Sequence, residues 1–202
     1  MTLNDLPGIL HPQTSHRTWL HTLAAFIMTV VFIVVERVSS RRRRMGLEDS
    51  LRRIRAVADY QFGRGVGAKL FPAGVRVVFS RRTGRIRYIY LDGKRLATMR
   101  PTDGMLSLSI KGARRIAEGM ASATCFVKVK DDVSKFIAQG GDVFAVHVVE
   151  ANDEVRAKDE VVVLDSNCKI LAVGRAMLSG EEMKAFKRGV AVKIRRGCMD
   201  EG

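Results

Sequence analysis

Asp92-Gly93, set between the short runs Arg85–Leu91 and Lys94–Met99, restricts this chain more than any other feature. Asp-Gly readily takes the left-handed conformations of a tight hairpin turn, so the flanking runs are expected to pair as antiparallel neighbours. Thr83-Gly84 punctuates the chain one run earlier, after the strand-like stretch Val75–Arg81. The three runs together read as an antiparallel meander.

What surrounds the meander completes a small α+β unit over residues 45–120. Upstream, Leu47, Leu51, Ile54, Val57 and Ala58 recur at helical spacing, with Arg52, Arg53 and Arg55 on other faces, and this helix is expected to end near Phe62. Gly63-Arg64-Gly65-Val66-Gly67-Ala68 fits the dinucleotide fingerprint superficially. It follows a helix rather than a strand, and the stretch around Ile86–Tyr90 lacks the required acid, so it reads as a flexible helix-exit loop. Downstream, Leu106, Leu108 and Ile110 alternate with Ser107 and Ser109 as a half-buried strand, before a short helix over Lys111–Met120 and a linker to Thr124.

The last third is denser in strands. Expected are Cys125–Val129, a helix opened by Asp131-Asp132 and closed by Gly140-Gly141, and strands over Val143–Val149, Glu160–Leu164 and Lys169–Met177, the last bending at Gly174. Ser179 with Glu182 makes a capping box for another short helix, ended by Gly189, and Val190–Arg195 is the final strand. Many short strands with two short helices predict a closed or nearly closed small barrel over 125–197.

Charge supplies the first functional constraint. A formal net charge of +14 calls for an anionic partner, nucleic acid or an acidic membrane surface. Residues 45–100 carry thirteen Lys and Arg against four acids, whereas residues 101–202 carry sixteen against fifteen. The meander alone holds Arg76, Arg81, Arg82, Arg85, Arg87, Lys94, Arg95 and Arg100, with Asp92 opposing them. Mutual repulsion on that scale costs stability unless phosphate answers it. A second cluster, Lys184, Lys187, Arg188, Lys193, Arg195 and Arg196, contains no acid.

The N-terminal segment, residues 1–44, allows three readings, the weakest being a buried core helix, since nothing in it supplies a polar outer face. Trp19–Val35 is an apolar run of about 17 residues, the short limit for a spanning helix, followed by Arg37 and Arg41–Arg44. Read as a membrane anchor, it leaves everything after it in the cytoplasm. Read otherwise, Met45 is the true start and the upstream residues are never made. The corresponding alternative for function is a membrane-anchored scaffold whose Arg-rich face binds acidic lipid or a protein partner. A lipid binder would hold its cations close to the anchor, however, and the larger share lies in the meander.

No catalytic or metal constellation is legible. Cys125, Cys168 and Cys198 form no C-x-x-C pair and imply a reduced, cytoplasmic protein. His147 stands alone in an apolar run and reads as a satisfied core residue. The chain is therefore expected to be no enzyme, with no cofactor, metal or small-molecule substrate.

Several blocks, in order, resemble the PUA domain: Gly140-Gly141-Asp142-Val143-Phe144-Ala145, Val155-Arg156-Ala157-Lys158-Asp159-Glu160-Val161, Leu171-Ala172-Val173-Gly174-Arg175-Ala176, and Ser179-Gly180-Glu181-Glu182-Met183 running into Lys187-Arg188-Gly189-Val190-Ala191-Val192. Ala58-Asp59-Tyr60-Gln61-Phe62-Gly63 and Ser80–Arg87 resemble the region preceding the PUA domain in archaeal tRNA-guanine transglycosylases and archaeosine synthases. The resemblance covers about 45–197 and implies a PUA-type β pseudo-barrel behind the α+β domain. It implies RNA, above all tRNA, as ligand. The family's catalytic barrel has no counterpart here, so a separate transglycosylase or archaeosine synthase chain is the implied catalytic partner. Carried over residue by residue, it nominates Lys135, Gly140, Gly141, Lys187, Arg188, Lys193 and Arg195 for RNA contact, beside Arg81, Arg82, Arg85 and Arg87 of the meander. Gly140 also reads as a plain helix cap.

If Met45 is the initiator, mass spectrometry of the protein from its own cells will show no peptide upstream of it; a Thr2–Arg17 peptide in the membrane fraction would establish the anchor instead.

Overall fold

Helix α1, over 46–62, opens the described part of the chain, which comprises residues 46–118 and 123–200 of a computed structural model. Ile54, Ala58 and Phe62, four residues apart, bury one stripe completely, while Arg52 and Arg53 stay exposed. Gly63, at φ 113°, ends the helix as the spacing predicts. Trp19–Val35 and Arg41–Arg44 lie outside the described residues. Among the described residues, no helix is long and apolar enough to cross a membrane.

The glycine run after α1 corrects the expected loop. It contains a second helix, α2, Val66–Leu70. A Cβ on Gly67 would fall 2.3 Å from the Arg55 carbonyl oxygen, so α2 can lie against α1 only because that side chain is missing. Asp59 Oδ1 accepts the Gly67 N–H at 2.6 Å and fixes the approach.

The meander forms as read. Strands β1 Arg76–Phe79, β2 Ile86–Leu91, β3 Lys94–Met99 and β4 Leu106–Leu108 build an antiparallel sheet in chain order. Asp92 and Gly93 both take positive φ, 49° and 74°, as the hairpin turn requires. Val77, Ile89, Ala97 and Leu108 pair in one row and are buried. The strand expected to run to Ile110 stops at Leu108. The Ser109 hydroxyl accepts the Gly112 N–H and caps helix α3, Ile110–Ala117, so capping chemistry overrides the alternation that suggested a longer strand.

The second sheet comprises β5 Phe126–Val129, β6 Val143–Phe144, β7 Val148–Ala151, β8 Glu160–Leu164, β9 Ile170–Ala176 and β10 Val190–Gly197, in the order β6-β10-β9-β8-β5-β7. Helix α4, Ser134–Ala138, follows β5, and α5, Gly180–Ala185, carries the expected Ser179–Glu182 capping box. One long strand over Val143–Val149 was expected. The chain instead turns through Ala145–His147, sending β6 and β7 to opposite ends of the strand order. Two end strands joined by three residues oblige the sheet to curl back on itself, hence the near-barrel. His147, expected to be a satisfied core residue, sits in that turn with a buried Nδ1 that has no hydrogen-bond partner among the described residues.

The two sheets meet at β8, whose five residues are all buried. Val161 and Val163 face the barrel core, while Val162 and Leu164 join Ile54, Phe62, Ile89 and Leu108 in the first core. Period-2 alternation thus lets one strand serve two interiors. Since burying a Val or Leu side chain is worth about 1.5–3 kcal/mol, this seam contributes substantially to both halves.

Gly67→Ala should lower the thermal transition by an amount equivalent to about 1–3 kcal/mol, the usual cost of overpacking, as read by differential scanning calorimetry. Gly74→Ala, where an added Cβ would meet nothing nearer than Leu91 at 3.9 Å, should be close to neutral.

Candidate nucleic-acid interface

The turn joining β1 to β2 is closed by Ser80 N–H to the Arg85 carbonyl at 2.8 Å and Gly84 N–H to the Ser80 carbonyl at 2.9 Å. Arg81 and Arg82 project from this turn, Arg85 lies at its exit and Arg87 on β2; all four are exposed. Together with Arg53 of α1 and Arg100 after β3, they line a groove of about 1450 Å³ whose apolar wall includes Phe79 and Tyr88. Its two acids are already engaged: Asp49 with Arg52 at 2.6 Å, and Asp103 with Arg100 Nε at 3.1 Å and the Met105 N–H at 3.0 Å. Among the described residues, no carboxylate pairs with Arg81, Arg82, Arg85 or Arg87. The groove is therefore a concave site with uncompensated positive charge, able to take phosphate without first breaking ion pairs.

The sheet face opposite the buried row carries Tyr88 and Tyr90, two residues apart on β2. Their rings meet edge to face at 6.3 Å. Arg76 lies over Tyr90 at 5.1 Å, and Arg87 and Arg95 over Tyr88 at 5.1 and 5.9 Å. In the sequence these arginines show only as charge, because the stacking depends on register: Arg76 pairs with Tyr90 across β1–β2, and Arg95 pairs with Tyr90 across β2–β3 and reaches Tyr88 diagonally.

On the barrel, Lys135 is exposed on α4. Gly140, at φ 97°, terminates that helix, donating its N–H to the Ile137 carbonyl at 2.9 Å. A Cβ on Gly141 would fall 2.1 Å from the ring of Phe136, which is itself 57% exposed. Lys187 and Arg188 lie exposed between α5 and β10, and Lys193 on β10 faces the exposed Arg175 of β9, a cation that only the strand pairing brings to this surface.

Arg195 is engaged elsewhere. The register of β10 against β9 slips between Ile194 and Arg196, and this bulge re-aims the Arg195 side chain. Its guanidinium donates to Glu160 Oε1 and, at 2.8 Å, to the Leu108 carbonyl. Glu160, 2% exposed, also accepts the Leu108 N–H at 2.7 Å. One carboxylate thus fastens β4, β8 and β10. Burial pushes the Glu160 carboxyl above the usual range; Arg195, the Leu108 N–H and the more distant Arg100 oppose this without cancelling it. Nearby, burial pushes the Cys125 thiol up to about 12, which leaves it unreactive rather than nucleophilic. No group of three or more His, Cys, Asp or Glu side chains that could hold a metal occurs among the described residues.

The curled sheet with its two short helices falls within residues 126–198, which match the PUA domain. Residues 52–122 match the patch-forming domain C2 of tRNA-guanine transglycosylase. The chain thereby resembles the C-terminal region of archaeal tRNA-guanine transglycosylases. It is 42% identical over 149 residues to the tRNA-guanine(15) transglycosylase of Methanothermobacter thermautotrophicus, covering 74% of this chain and 23% of that protein. It is 45% identical over 144 residues to the enzyme of the same name from Thermococcus kodakarensis, covering 71% and 24%. The chain thus spans about a quarter of the length of these curated relatives. A hypothetical protein of Pyrococcus horikoshii OT3 shares the fold, with a TM-score of 0.62, 23% identity and coverage of 76% of this chain and 92% of that one.

Arg195→Ala strands the buried Glu160 carboxylate. The full cost of such a break, about 3–5 kcal/mol, should be reduced to about 2–3 because Arg195 is 42% exposed. With its cation gone, Glu160 will hold its proton still more tightly in the fold than in the unfolded chain. Stability of the variant should therefore fall as pH rises from the ordinary Glu value through the raised one, and Glu160→Gln in the same background should remove that slope. Urea titrations from pH 4 to 8 measure both.

Proposed function

We propose that this chain is a non-catalytic tRNA-binding subunit of an archaeal tRNA-modification system, working with a separate catalytic chain of the transglycosylase or archaeosine synthase type. The observation that carries the reading is the groove in which Arg81, Arg82, Arg85 and Arg87 stand without acidic partners, on a domain joined to a PUA barrel. Structured RNA is held chiefly through phosphates, 2′-hydroxyls and exposed single-stranded ends, which suits a basic concavity beside a second basic surface. The reading treats 45–120 and 125–197 as the two domains.

In this reading the meander provides electrostatic hold, and Lys135, Gly140, Gly141, Lys187, Arg188 and Lys193 form the barrel's RNA face. Arg195 contributes less directly, by keeping β10 in place. No chemistry is assigned to this chain. Among the described residues the buried titratable groups Cys125 and Glu160 serve packing and the junction between the sheets.

The test compares two multiple variants by tRNA-binding titration at several salt concentrations. Changing Arg81, Arg82, Arg85 and Arg87 to Ser should weaken binding strongly, leave the thermal transition nearly unchanged, and flatten the slope of log affinity against log salt by a little under one unit per lost contact. Changing Lys187, Arg188 and Lys193 to Ser should lower affinity and also abolish preference for an intact acceptor end. Unchanged affinity and salt slope in both would refute the reading, as would base exchange by this chain alone.

A further inference from the structure

The outer face of the first sheet holds more than charge. Tyr88 and Tyr90 present their rings on the side away from Ile89, Ala97 and Leu108, and three guanidinium groups lie over them. The side chains of Arg76, Arg87 and Arg95 make no hydrogen bond or ion pair among the described residues. Each planar cation is thus positioned by an aromatic ring while its donors stay free. Tyr88 also lines the arginine groove, so the stacked face and the phosphate-accepting concavity are continuous at that residue.

We propose that Tyr88 and Tyr90 form a stacking platform for unpaired nucleobases of the bound RNA, with Arg76, Arg87 and Arg95 as layers in the stack. The proposal rests on the RNA-binding reading above and adds the class of RNA structure that this face takes. Every base has a π-face that can stack on tyrosine or on a guanidinium plane, and such a stack is worth more than an exposed cation–π contact, so a base can displace or extend the arginine layer. The freed guanidinium donors then meet the adjoining phosphates, whose charge the face complements. A paired A-form helix keeps its bases stacked inside and offers nothing for a flat aromatic sheet to cover. The occupant is therefore a single-stranded or splayed segment. Arg side chains that merely shield tyrosines from water would serve as well with acids among them, yet between Arg76 and Met99 the turn residue Asp92 is the sole acid.

The test uses the full chain and two RNA probes, a single-stranded oligoribonucleotide carrying 2-aminopurine and a blunt duplex of the same length. Wild-type protein should quench 2-aminopurine on binding and prefer the single strand. Tyr88→Leu with Tyr90→Leu should weaken single-strand binding at least tenfold and abolish quenching, while duplex affinity falls by a much smaller factor. Tyr88→Phe with Tyr90→Phe should behave as wild type. Single-strand affinity and quenching retained in the Leu variant would overturn the platform, and so would a wild-type preference for duplex or an equal loss on both probes. If the Leu variant does not fold, wild-type binding without quenching overturns it alone. Wild-type protein binding neither probe would overturn the RNA-binding reading itself, which separates the two failures.

Discussion

Strand β8 carries the architecture, because it is buried on both faces and each face belongs to a different interior. Val162 and Leu164 close the core beneath the meander; Val161 and Val163 close the barrel. Glu160 has the parity of Val162 and Leu164, so it points to the meander side and must bury a carboxylate there. That burial is tolerable because the Leu108 N–H and the Arg195 guanidinium reach the same oxygen. The joint between the halves is thus apolar packing given a definite register by one polar contact. Such contacts add less net stability than their geometry suggests, but they penalise any slip that would leave the carboxylate unanswered.

The charge carried by the meander is a separate constraint. Eight cations on one small sheet would repel one another, and the structure relieves this for seven of them in three ways. Arg100 takes Asp103, Arg76, Arg87 and Arg95 lie on tyrosine faces, and Arg81, Arg82 and Arg85 project from a turn into a groove. The first two arrangements find a partner within the chain, although the guanidinium donors over the tyrosines stay free. The last does not, and it is where an anionic ligand gains most.

Close backbone approach is the second recurring device. Gly67 lets α2 lie on α1, Gly174 lets β9 approach the Lys193 carbonyl at a distance no Cβ could keep, and Gly180 does the same for α5 against Asn152. These glycines allow small elements to pack tightly around short strands, since helices of five or six residues cannot otherwise bury enough surface to hold their place.

Much was legible in the residues alone. Asp92-Gly93 determined the hairpin through its own backbone preference, the 54–58–62 stripe determined α1 through its period, and Ser179 with Glu182 determined the start of α5, because each signal is local. The excess of arginine in the meander was equally plain, being a matter of counting. What only tertiary structure decided depends on partners distant in sequence. A bulge turned Arg195 from the barrel surface to Glu160, cross-strand register placed Arg76 and Arg95 over tyrosines, and closure of the sheet broke the apolar run 143–149 into two strands at opposite ends. A side chain's neighbours in sequence dictate its backbone, but which face it shows, and to what, is settled only when another strand arrives beside it.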